Sequence, residues 1–284
     1  MKPAVFSYAA PETVEDCLAL LAEYSDDAKI LAGGQSLMPL LNLRMVRPSV
    51  VIDIGRIRGL DRWGKDGNSI RIGPLVRQRV IETDKALVEA LPLLGHAIVM
   101  IGHPATRSRG TIVGSMCHAD PAAELPVCAV LLRAEFLLRS TKTSRTVKAE
   151  EFFESALSTT IGPTELVEGI MLPVVLAGAG YAFEEISRRH GDFAMVSVGA
   201  AVVGTEARVS VGGVGPRPLA FNYSDFAPGK PVEPTFFEAF GRHVAGHLEP
   251  NSDLHATAEY RRAMAAILVE RTLLAAHKRA GKRS

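Results

Sequence analysis

The sequence is poor in cysteine, and the few cysteines it has are scattered. Its 284 residues include three, Cys17, Cys117 and Cys128, and no CxxC pair. Zinc ribbons and cysteine-ligated iron–sulfur clusters need grouped thiolates, so the sequence indicates neither in this chain. Scattered cysteines are typical of a protein kept in a reducing compartment, and we expect a cytoplasmic location.

Apolar runs long enough to span a membrane are also missing, and so is the apolar segment of a signal peptide. The formal net charge is +1, which provides no basic field that would favour nucleic acid. Hydrophobic residues make up 47% of the sequence and charged residues 22%, as in a globular protein with a substantial core. We therefore expect no membrane span and no nucleic-acid partner.

Common nucleotide-binding and hydrolase motifs are absent too. There is no GxGxxG behind a first strand, no GxxxxGK[ST] and no GxSxG. The glycines of 212–218 are followed by prolines, which indicates a turn. His243 and His247 are four residues apart in a helical pattern, but no third ligand lies at a suitable spacing. A helix surface is therefore favoured over a metal site, and we predict no metal.

Hydrophobic periodicity predicts a mixed α and β chain. A helix capped by Thr13 is expected over 13–24, and a helical stretch over 78–102 with a break near Pro92. Strands are expected near 28–34, 50–55 and 69–76, a hairpin over 135–149, further strands from about 180, and helices over 234–248 and 255–280. This order indicates an α+β protein with a boundary near 173–180, where the sequence turns to small residues.

The first stretch with ligand-binding character is KILAGGQSLMPLL, residues 29–41. An apolar strand ends there in Gly33 and Gly34, and Gln35 and Ser36 follow. Glycines at the end of a strand can bring bare backbone close to a ligand. If a dinucleotide binds, we expect it to lie between this loop and a second glycine loop and not on a Rossmann turn.

The second stretch spans residues 101–126. Its glycines admit close backbone approach, its hydroxyls can donate to phosphate oxygens, and its acids can accept from sugar hydroxyls or ring N–H groups. A turn-rich loop explains the composition equally well. The residues concerned are Gly102, Gly110, Gly114, Thr106, Ser108, Thr111, Ser115, Asp120 and Glu124.

A third stretch, 186–201, contains two arginines and then His-Gly-Asp-Phe before a strand of small residues. Phe193 at a loop tip beside an acid could cover a flat ring. Composition alone favours a polar turn between two strands.

Three segments together resemble the FAD-binding medium subunit of the molybdenum hydroxylases, the group of carbon monoxide dehydrogenase and the N-heterocycle dehydrogenases. They are LAGGQSLMPLLNLRM, RGTIVGSMCHADPAAELP and RRHGDFAMV. VSVGGVGPRPL and the last helical stretch are similar to the C-terminal domain of the same family. The resemblance covers essentially the whole chain, in order.

The resemblance implies a vanillyl-alcohol-oxidase-like (PCMH-type) FAD-binding fold of two subdomains, followed by a C-terminal α+β domain with a three-stranded antiparallel sheet and helices. We expect the FAD-binding domain at 1–175, with subdomains of about 1–55 and 56–175. The C-terminal domain is expected at 176–284.

The resemblance also implies which residues contact FAD. Ala32 to Ser36 match the segment around the pyrophosphate, and Thr111, Gly114 and Ser115 match a second phosphate-binding segment. Asp120 and Glu124 match positions on the ribityl and adenosine sides, Leu166 and Val167 apolar positions near the adenine or the flavin ring, and Phe193 an aromatic beside the isoalloxazine. The full implied set is Lys29, Ile30, Leu31, Ala32, Gly33, Gly34, Gln35, Ser36, Leu37, Ile101, Gly102, Ala105, Thr106, Gly110, Thr111, Gly114, Ser115, His118, Asp120, Glu124, Leu166, Val167, Asp192 and Phe193.

One position departs from the family pattern. The second loop of the family usually reads TIGG, and Val113 replaces the first of these glycines here. A Cβ restricts the backbone and its approach to phosphate, so the contact at this position is open.

The resemblance implies a division of labour among three subunits. A large subunit would oxidise the substrate, such as CO, an N-heterocycle like nicotine, or an aldehyde, at a molybdenum cofactor. A small subunit would carry two [2Fe-2S] clusters, and this chain would pass electrons through non-covalent FAD to an external acceptor, with no catalytic side chain of its own. We expect a dimer of heterotrimers. Whether this complex associates with a membrane stays open.

Two alternatives remain at this point. The chain could be a stand-alone flavin oxidoreductase acting on its own small substrate, or a flavin-free binding subunit. At the surface, Arg188 and Arg189 are available for docking to the small subunit; alternatively they pair internally with Glu184 or Glu185.

Overall fold

The computed structural model describes residues 2–281. Its strands are β1 (Ser7–Ala9), β2 (Ala28–Leu31), β3 (Val50–Asp53), β4 (Trp63–Asp66), β5 (Ser69–Ile72), β6 (Glu135–Arg139), β7 (Ser144–Lys148), β8 (Phe153–Ser155), β9 (Ser158–Thr159), β10 (Leu166–Pro173), β11 (Gly180–Ile186), β12 (Val196–Val203), β13 (Glu206–Gly212) and β14 (Leu219–Asn222). Its helices are α1 (Val14–Tyr24), α2 (Leu37–Asn42), α3 (Gln78–Thr83), α4 (Lys85–Ala90), α5 (Pro92–Ile98), α6 (Pro104–Arg109), α7 (Ile112–His118), α8 (Glu124–Leu131), α9 (Ala149–Phe152), α10 (Tyr223–Phe226), α11 (Phe237–Gly246) and α12 (Ala258–Arg279).

The first 55 residues form a small parallel sheet covered by a helix. The strand order is β1-β3-β2, with β3 in the centre. The predicted Thr13 cap of α1 is confirmed, because its hydroxyl accepts from the Asp16 N–H at 3.1 Å. Cys17, Leu18 and Leu21 of this helix are buried against Ile52. The sheet thus has its own apolar core, and β2 ends where the first glycine loop begins.

A five-stranded antiparallel sheet follows, in the order β4-β5-β10-β6-β7. The predicted hairpin is confirmed as β6 and β7. The helical stretch over 78–102 is broken twice, not once. Asp84 caps α4 by accepting from the N–H groups of Ala86 and Leu87, and Pro92 begins α5. Helix α8 is buried along all 8 of its residues, so it forms the centre of this core.

The C-terminal region is an antiparallel sheet packed on helices α11 and α12. The expectation of three strands is wrong by one, since the sheet has the order β11-β12-β13-β14. Strand β14 covers only four half-buried residues after a glycine- and proline-rich turn, so its sequence shows no clear alternation. It pairs with β13 from Val211↔Leu219 to Arg208↔Asn222 and closes that edge of the sheet.

The two faces of β11 contribute to different cores. Tyr181 and Phe183 pack with the core around α8, whereas Ala182 between them packs with the core of α11 and α12. This follows from the period of two along a strand. The C-terminal sheet is therefore layered between the α5–α8 side and the α11–α12 side.

Among the described residues, no helix combines the length and the apolarity that a membrane crossing requires.

Helices α11 and α12 are packed too closely at Gly241 for any larger residue. A Cβ at Gly241 would overlap the Ala266 carbonyl oxygen, whereas a Cβ at Gly246, at the end of the same helix, would have open space. Both substitutions to alanine gain helix propensity, so their difference isolates the steric contact. We expect Gly241→Ala to lower the free energy of unfolding by about 1–3 kcal/mol and Gly246→Ala to leave it unchanged or raised, as measured by urea denaturation. Equal stability of the two variants would contradict this packing.

Candidate functional site

The two predicted glycine loops lie directly against each other. Gly33, at the end of β2, has so little room that a Cβ would lie 2.6 Å from the Arg109 carbonyl oxygen, 2.9 Å from Gly110 Cα and 3.0 Å from the Thr111 nitrogen. The sequence predicted that this glycine admits a ligand. The structure shows a packing role for it, which is to let one backbone pack on another, and its contact with a ligand stays a prediction.

The first loop then turns on Gly34 and enters α2. The φ angle of Gly34 is +71°, a left-handed conformation that favours glycine. The Gln35 side-chain amide donates to the Gly33 carbonyl at 3.3 Å, and the Met38 N–H donates to the Gly34 carbonyl at 3.1 Å. These bonds hold the loop in a compact turn whose polar side chains, Gln35 and Ser36, reach solvent at least in part.

The second loop is organised by Thr111, which is buried and caps α7. Its hydroxyl accepts from the Gly114 N–H at 3.1 Å. A Cβ at Gly114 would overlap that hydroxyl and would lie 3.9 Å from the Cβ of Ala32 in the first loop. Gly114 is therefore required by the cap, and it brings α7 up to the first loop.

Val113, the departure from the family pattern, points away from both loops. Its side chain is 1% exposed and packs in the core with Ile112, Met116 and other apolar residues. The valine Cβ thus fills the core, and its backbone has ordinary helical geometry within α7.

A turn of the C-terminal region reaches the same part of the molecule. Gly191 lies on the 101–103 loop, and a Cβ there would be 2.7 Å from the Gly102 carbonyl oxygen. The turn places Phe193 at the surface with 66% of its area exposed. Asp192 accepts from the Arg189 Nε at 3.1 Å. The predicted internal pairing of the arginines with Glu184 or Glu185 is wrong, because Glu184 pairs with Arg271 at 2.9 Å and Glu185 faces Glu124.

The buried Glu124 lies next to the half-buried Glu185 of β11, and the two form an acidic pair. Glu185 lies on the same face of its strand as Tyr181 and Phe183, which is the face turned to α8. Burial is the main cause that raises the pKa of Glu124 to about 8, and the negative charges of Glu185 and Asp120 add to it; burial also raises the pKa of Glu185. Both shifts favour the protonated form of these carboxyls in the folded state. Glu124 thus faces the C-terminal strand, and its contact with a cofactor stays a prediction.

Leu166 and Val167 lie at the start of β10, beside a bulge, and both side chains are buried. Leu166 belongs to the core of the first sheet and Val167 to the core around α8. Their side chains join two cores and present no free apolar surface, so any contact with a ligand at this point would involve the backbone.

The remaining candidates divide by exposure. Lys29, Gln35 and Ala105 are exposed, as is Phe193, while Gly110 and Thr111 are buried. The half-buried residues are Ile30, Leu31, Ala32, Gly33, Gly34, Ser36, Leu37, Ile101, Gly102, Thr106, Gly114, Ser115, His118, Asp120 and Asp192. The loop residues among these are brought together by the Gly33–Gly110, Ala32–Gly114 and Gly102–Gly191 contacts.

Two surface clefts lie away from these loops. One of 330 Å³ is lined by Glu15, Arg139 and the turn 140–144, and one of 350 Å³ is lined by residues of β4 and β5 with Arg62 and Glu168. Neither cleft includes a residue of the glycine loops. Among the described residues, no group of three or more His, Cys, Asp or Glu side chains is arranged to hold a metal.

Comparison with known proteins assigns this arrangement. Residues 4–175 match the family model described as the FAD binding domain in molybdopterin dehydrogenase, and residues 181–276 match the CO dehydrogenase flavoprotein C-terminal domain. The chain belongs to this flavoprotein family.

Relatives match the flavoprotein over its full length. It is 40% identical to the 6-hydroxypseudooxynicotine dehydrogenase complex subunit alpha of Paenarthrobacter nicotinovorans, covering 99% of this chain and 97% of the relative. It is 38% identical to the caffeine dehydrogenase subunit beta of Pseudomonas sp. strain CBB1, covering 98% and 97%. A chain of the carbon monoxide dehydrogenase of Hydrogenophaga pseudoflava superposes with a TM-score of 0.94 at 33% identity, covering 99% of this chain and 100% of that one.

The residues present suit FAD. If FAD binds here, the backbone around Gly33, Gly34 and Gly110 and the hydroxyls of Thr111 and Ser115 would hold its phosphates between two touching loops. The half-buried His118 and Asp120 follow on the same helix and the turn after it. FAD supplies the redox chemistry, and the loops supply its position.

Residues that the sequence did not single out also shape the site. Arg107 is buried beneath the 101–103 loop, and Glu185 is the partner of Glu124. A lone arginine in a polar helix is usually solvated, and a contact across 61 positions leaves no local pattern, so the sequence carried no signal for either.

We predict that Gly33→Val abolishes or strongly weakens FAD binding. The branched side chain would force the two glycine loops apart, and we expect the dissociation constant for FAD to rise by about 100-fold or more, equivalent to about 2.7 kcal/mol. Gly64→Val is the control, because a Cβ at Gly64 meets open space. Flavin titration of the two apoproteins measures the difference. Normal flavin content in the Gly33 variant would mean that the loops do not form the site.

We also predict that Glu124→Gln reduces the loss of stability at higher pH. The wild-type carboxyl keeps its proton to a higher pH in the folded state than in the unfolded state. The contribution of Glu124 to the free energy of unfolding is therefore complete below the ordinary pKa of 4.5 and is lost as the pH rises to about 8. Glutamine donates a hydrogen bond at any pH, so we expect a gain on the order of 1–3 kcal/mol at about pH 8 and little at about pH 5.

Urea denaturation across this range provides the measurement. The control is Glu184→Gln, whose side chain pairs with Arg271 on the opposite face of β11. The same pH dependence in wild type and in the Glu124 variant would contradict the raised pKa of Glu124.

Proposed function

We propose that this flavoprotein is the electron-transfer subunit of a three-subunit molybdenum hydroxylase. The observation that carries the proposal is the contact of the two glycine loops, which supports an extended FAD at the surface of the chain. The three cysteines are free and are buried or half-buried one by one, so they do not form a cluster-binding group. Electrons would reach FAD from [2Fe-2S] clusters of a small partner and leave to an external acceptor. Each redox group other than FAD would belong to a partner subunit.

The substrate would be oxidised in the large subunit and not in this chain. Relatives at similar identity are named for a nicotine derivative, for caffeine and for carbon monoxide, yet this chain aligns with each of them over nearly its whole length. Similarity of 33–40% to subunits of complexes named for such different substrates supports substrate choice in another subunit. A stand-alone oxidoreductase would need an enclosed substrate pocket beside the flavin, and neither of the two clefts described above lies at the glycine loops.

The remaining expectations are proposals of the same kind. We propose non-covalent FAD, a dimer of heterotrimers, a cytoplasmic location, and domains at 1–175 and 176–284 with the first divided near residue 55. Three separate apolar clusters support the division, although β11 contributes to two of them.

The proposed function is tested by reconstitution. Acid precipitation of the isolated chain should release its flavin to the supernatant. The isolated chain should show no dehydrogenase activity with the complex's organic or gaseous substrate. It should regain electron transfer to an artificial acceptor when it is mixed with its two partner subunits. Substrate-dependent reduction of FAD in the chain alone would support a stand-alone enzyme and contradict the proposal.

We further propose that the 187–193 turn forms part of the docking face for the small subunit. Phe193 is 66% exposed, and Arg188 and Arg189 are exposed beside it. Cluster-to-flavin electron transfer requires close approach, and exposed charges at a rim set orientation and association rate more than affinity.

Reversal of both arginine charges tests this face. Arg188→Glu with Arg189→Glu should slow association with the small subunit by about tenfold at low salt, with the difference shrinking at high salt and the flavin content unchanged. Arg242→Glu with Lys278→Glu is the control. Lys278 is near the end of α12, which lies beside the start of β11, whereas the 187–193 turn follows the other end of that strand. Association rates equal to wild type in the first variant would exclude the turn from the interface.

A further inference from the structure

Arg107 is a buried cation that bonds to the loop under the C-terminal turn. Its side chain is 7% exposed. One guanidinium nitrogen, Nη1, donates to the Ile101 carbonyl at 2.7 Å and to the Gly102 carbonyl at 3.1 Å. The other, Nη2, pairs with Glu82 of α3 at 2.8 Å. A buried charge needs a counter-ion and hydrogen-bond acceptors, and the two Nη atoms of Arg107 find these in Glu82 and in two backbone carbonyls of one loop, while its buried Nε has no partner.

These bonds fix the direction of two successive peptide groups. A trans peptide directs its N–H opposite to its C=O, so the N–H groups of Gly102 and His103 are turned away from the guanidinium. Gly102 has a φ of +47°, which favours glycine at this turn. The orientation of the whole 101–103 loop therefore depends on Arg107.

The C-terminal turn, residues 187–193, packs on the same Gly102 carbonyl. Gly191 approaches it so closely that a Cβ would lie 2.7 Å from the oxygen. Gly191 itself has a φ of +85° and lies two residues before Phe193. A displacement of the 101–103 loop would therefore displace the turn that carries Asp192 and Phe193.

Arg107 also connects this loop to the second glycine loop. It belongs to α6, which begins one residue after His103 and ends at Arg109, whose carbonyl touches Gly33. The Gly110 N–H donates to the Thr106 carbonyl at 2.7 Å and continues the helix into the loop. One short helix thus sets the spacing between the 101–103 loop and the touching glycine loops.

We propose that Arg107, held by Glu82, is a positioning residue of the flavin site. It fixes the 101–103 loop, and through that loop the 187–193 turn, relative to the phosphate-binding loops. The proposal deepens the FAD-binding role of this chain and rests on it. Arg107 makes no contact with the cofactor in this account, and its effect passes through the backbone carbonyls it binds.

Three variants and a control test the proposal in the full-length chain. Arg107→Met removes the charge and all donors, Arg107→Lys keeps the charge but lacks the planar fork that serves three acceptors, and Glu82→Gln removes the counter-ion. Arg145→Met is the control, because Arg145 also joins a glutamate, Glu165, and a backbone carbonyl, that of Thr160, but on strand β7.

Two measurements are made on each variant. The first is the dissociation constant for FAD. The second is the rate of tryptic cleavage after Arg188 and Arg189 in the native apoprotein, located by mass spectrometry, which reports the seating of the turn without any flavin.

We expect Arg107→Met to weaken FAD binding by about tenfold or more and to speed cleavage in the turn by about fivefold or more. Arg107→Lys and Glu82→Gln should change both quantities in the same direction by less, and Arg145→Met should change neither. If Arg107→Met does not fold, the two milder variants decide the matter.

Wild-type values in both milder variants, or equal effects from Arg145→Met, would overturn the role of Arg107. A wild-type chain that fails to bind FAD would instead contradict the proposed function, while the cleavage rates would still decide whether Arg107 seats the turn.

Discussion

The contact between Gly33 and the Arg109–Thr111 backbone is the constraint on which the site depends. Two loops that are 77 positions apart in the chain meet with no side chain between them, and the nearest approach to the missing Cβ would be 2.6 Å. Around this contact, Gly34 turns the first loop into α2, and Thr111 caps α7 in the second. The arrangement of the two loops is therefore a product of backbone packing, with Gly33 as the residue that permits it.

A second close contact ties the C-terminal region to this surface. Helix α8 is buried on all sides, and the C-terminal sheet approaches it through glycines. A Cβ at Gly212 would lie 2.5 Å from Val127, and one at Gly199 would lie 3.0 Å from Leu131. The sheet is thereby held at a fixed distance, which brings Glu185 onto Glu124 and Gly191 onto Gly102. The Glu124–Glu185 pair and a glycine turn thus lie on one continuous interface between the two regions.

The sequence was sufficient where the signal is local. Thr13 before acidic residues, the apolar runs of β2 and β3, and the 135–149 hairpin all follow from capping and periodicity. The two glycine-rich loops were also recognised from local composition, and the family resemblance implies that FAD binds to them, which stays a prediction. What local patterns could not give was the reason for Gly33, because a glycine that admits a ligand and one that admits another backbone look the same in sequence.

Other features were beyond the sequence because they depend on distant partners. The Glu124–Glu185 pair and the Arg107 bonds join elements whose proximity only the fold creates. Strand β14 is too short to alternate, and α8 has no polar face from which a helical period could be recognised. Val113 also shows the limit of local patterns. The sequence motif alone suggests that its side chain disturbs a phosphate contact, whereas in the fold this side chain is turned into the core.

Hydrogen–deuterium exchange of the apoprotein during FAD titration measures the central claim most directly. The account predicts that FAD slows exchange together in residues 32–36, 101–103 and 110–115, with the same saturation curve, and leaves the 212–218 turn unchanged. Saturable FAD binding that protects only one of the two glycine loops, or neither, would contradict a site built from their contact.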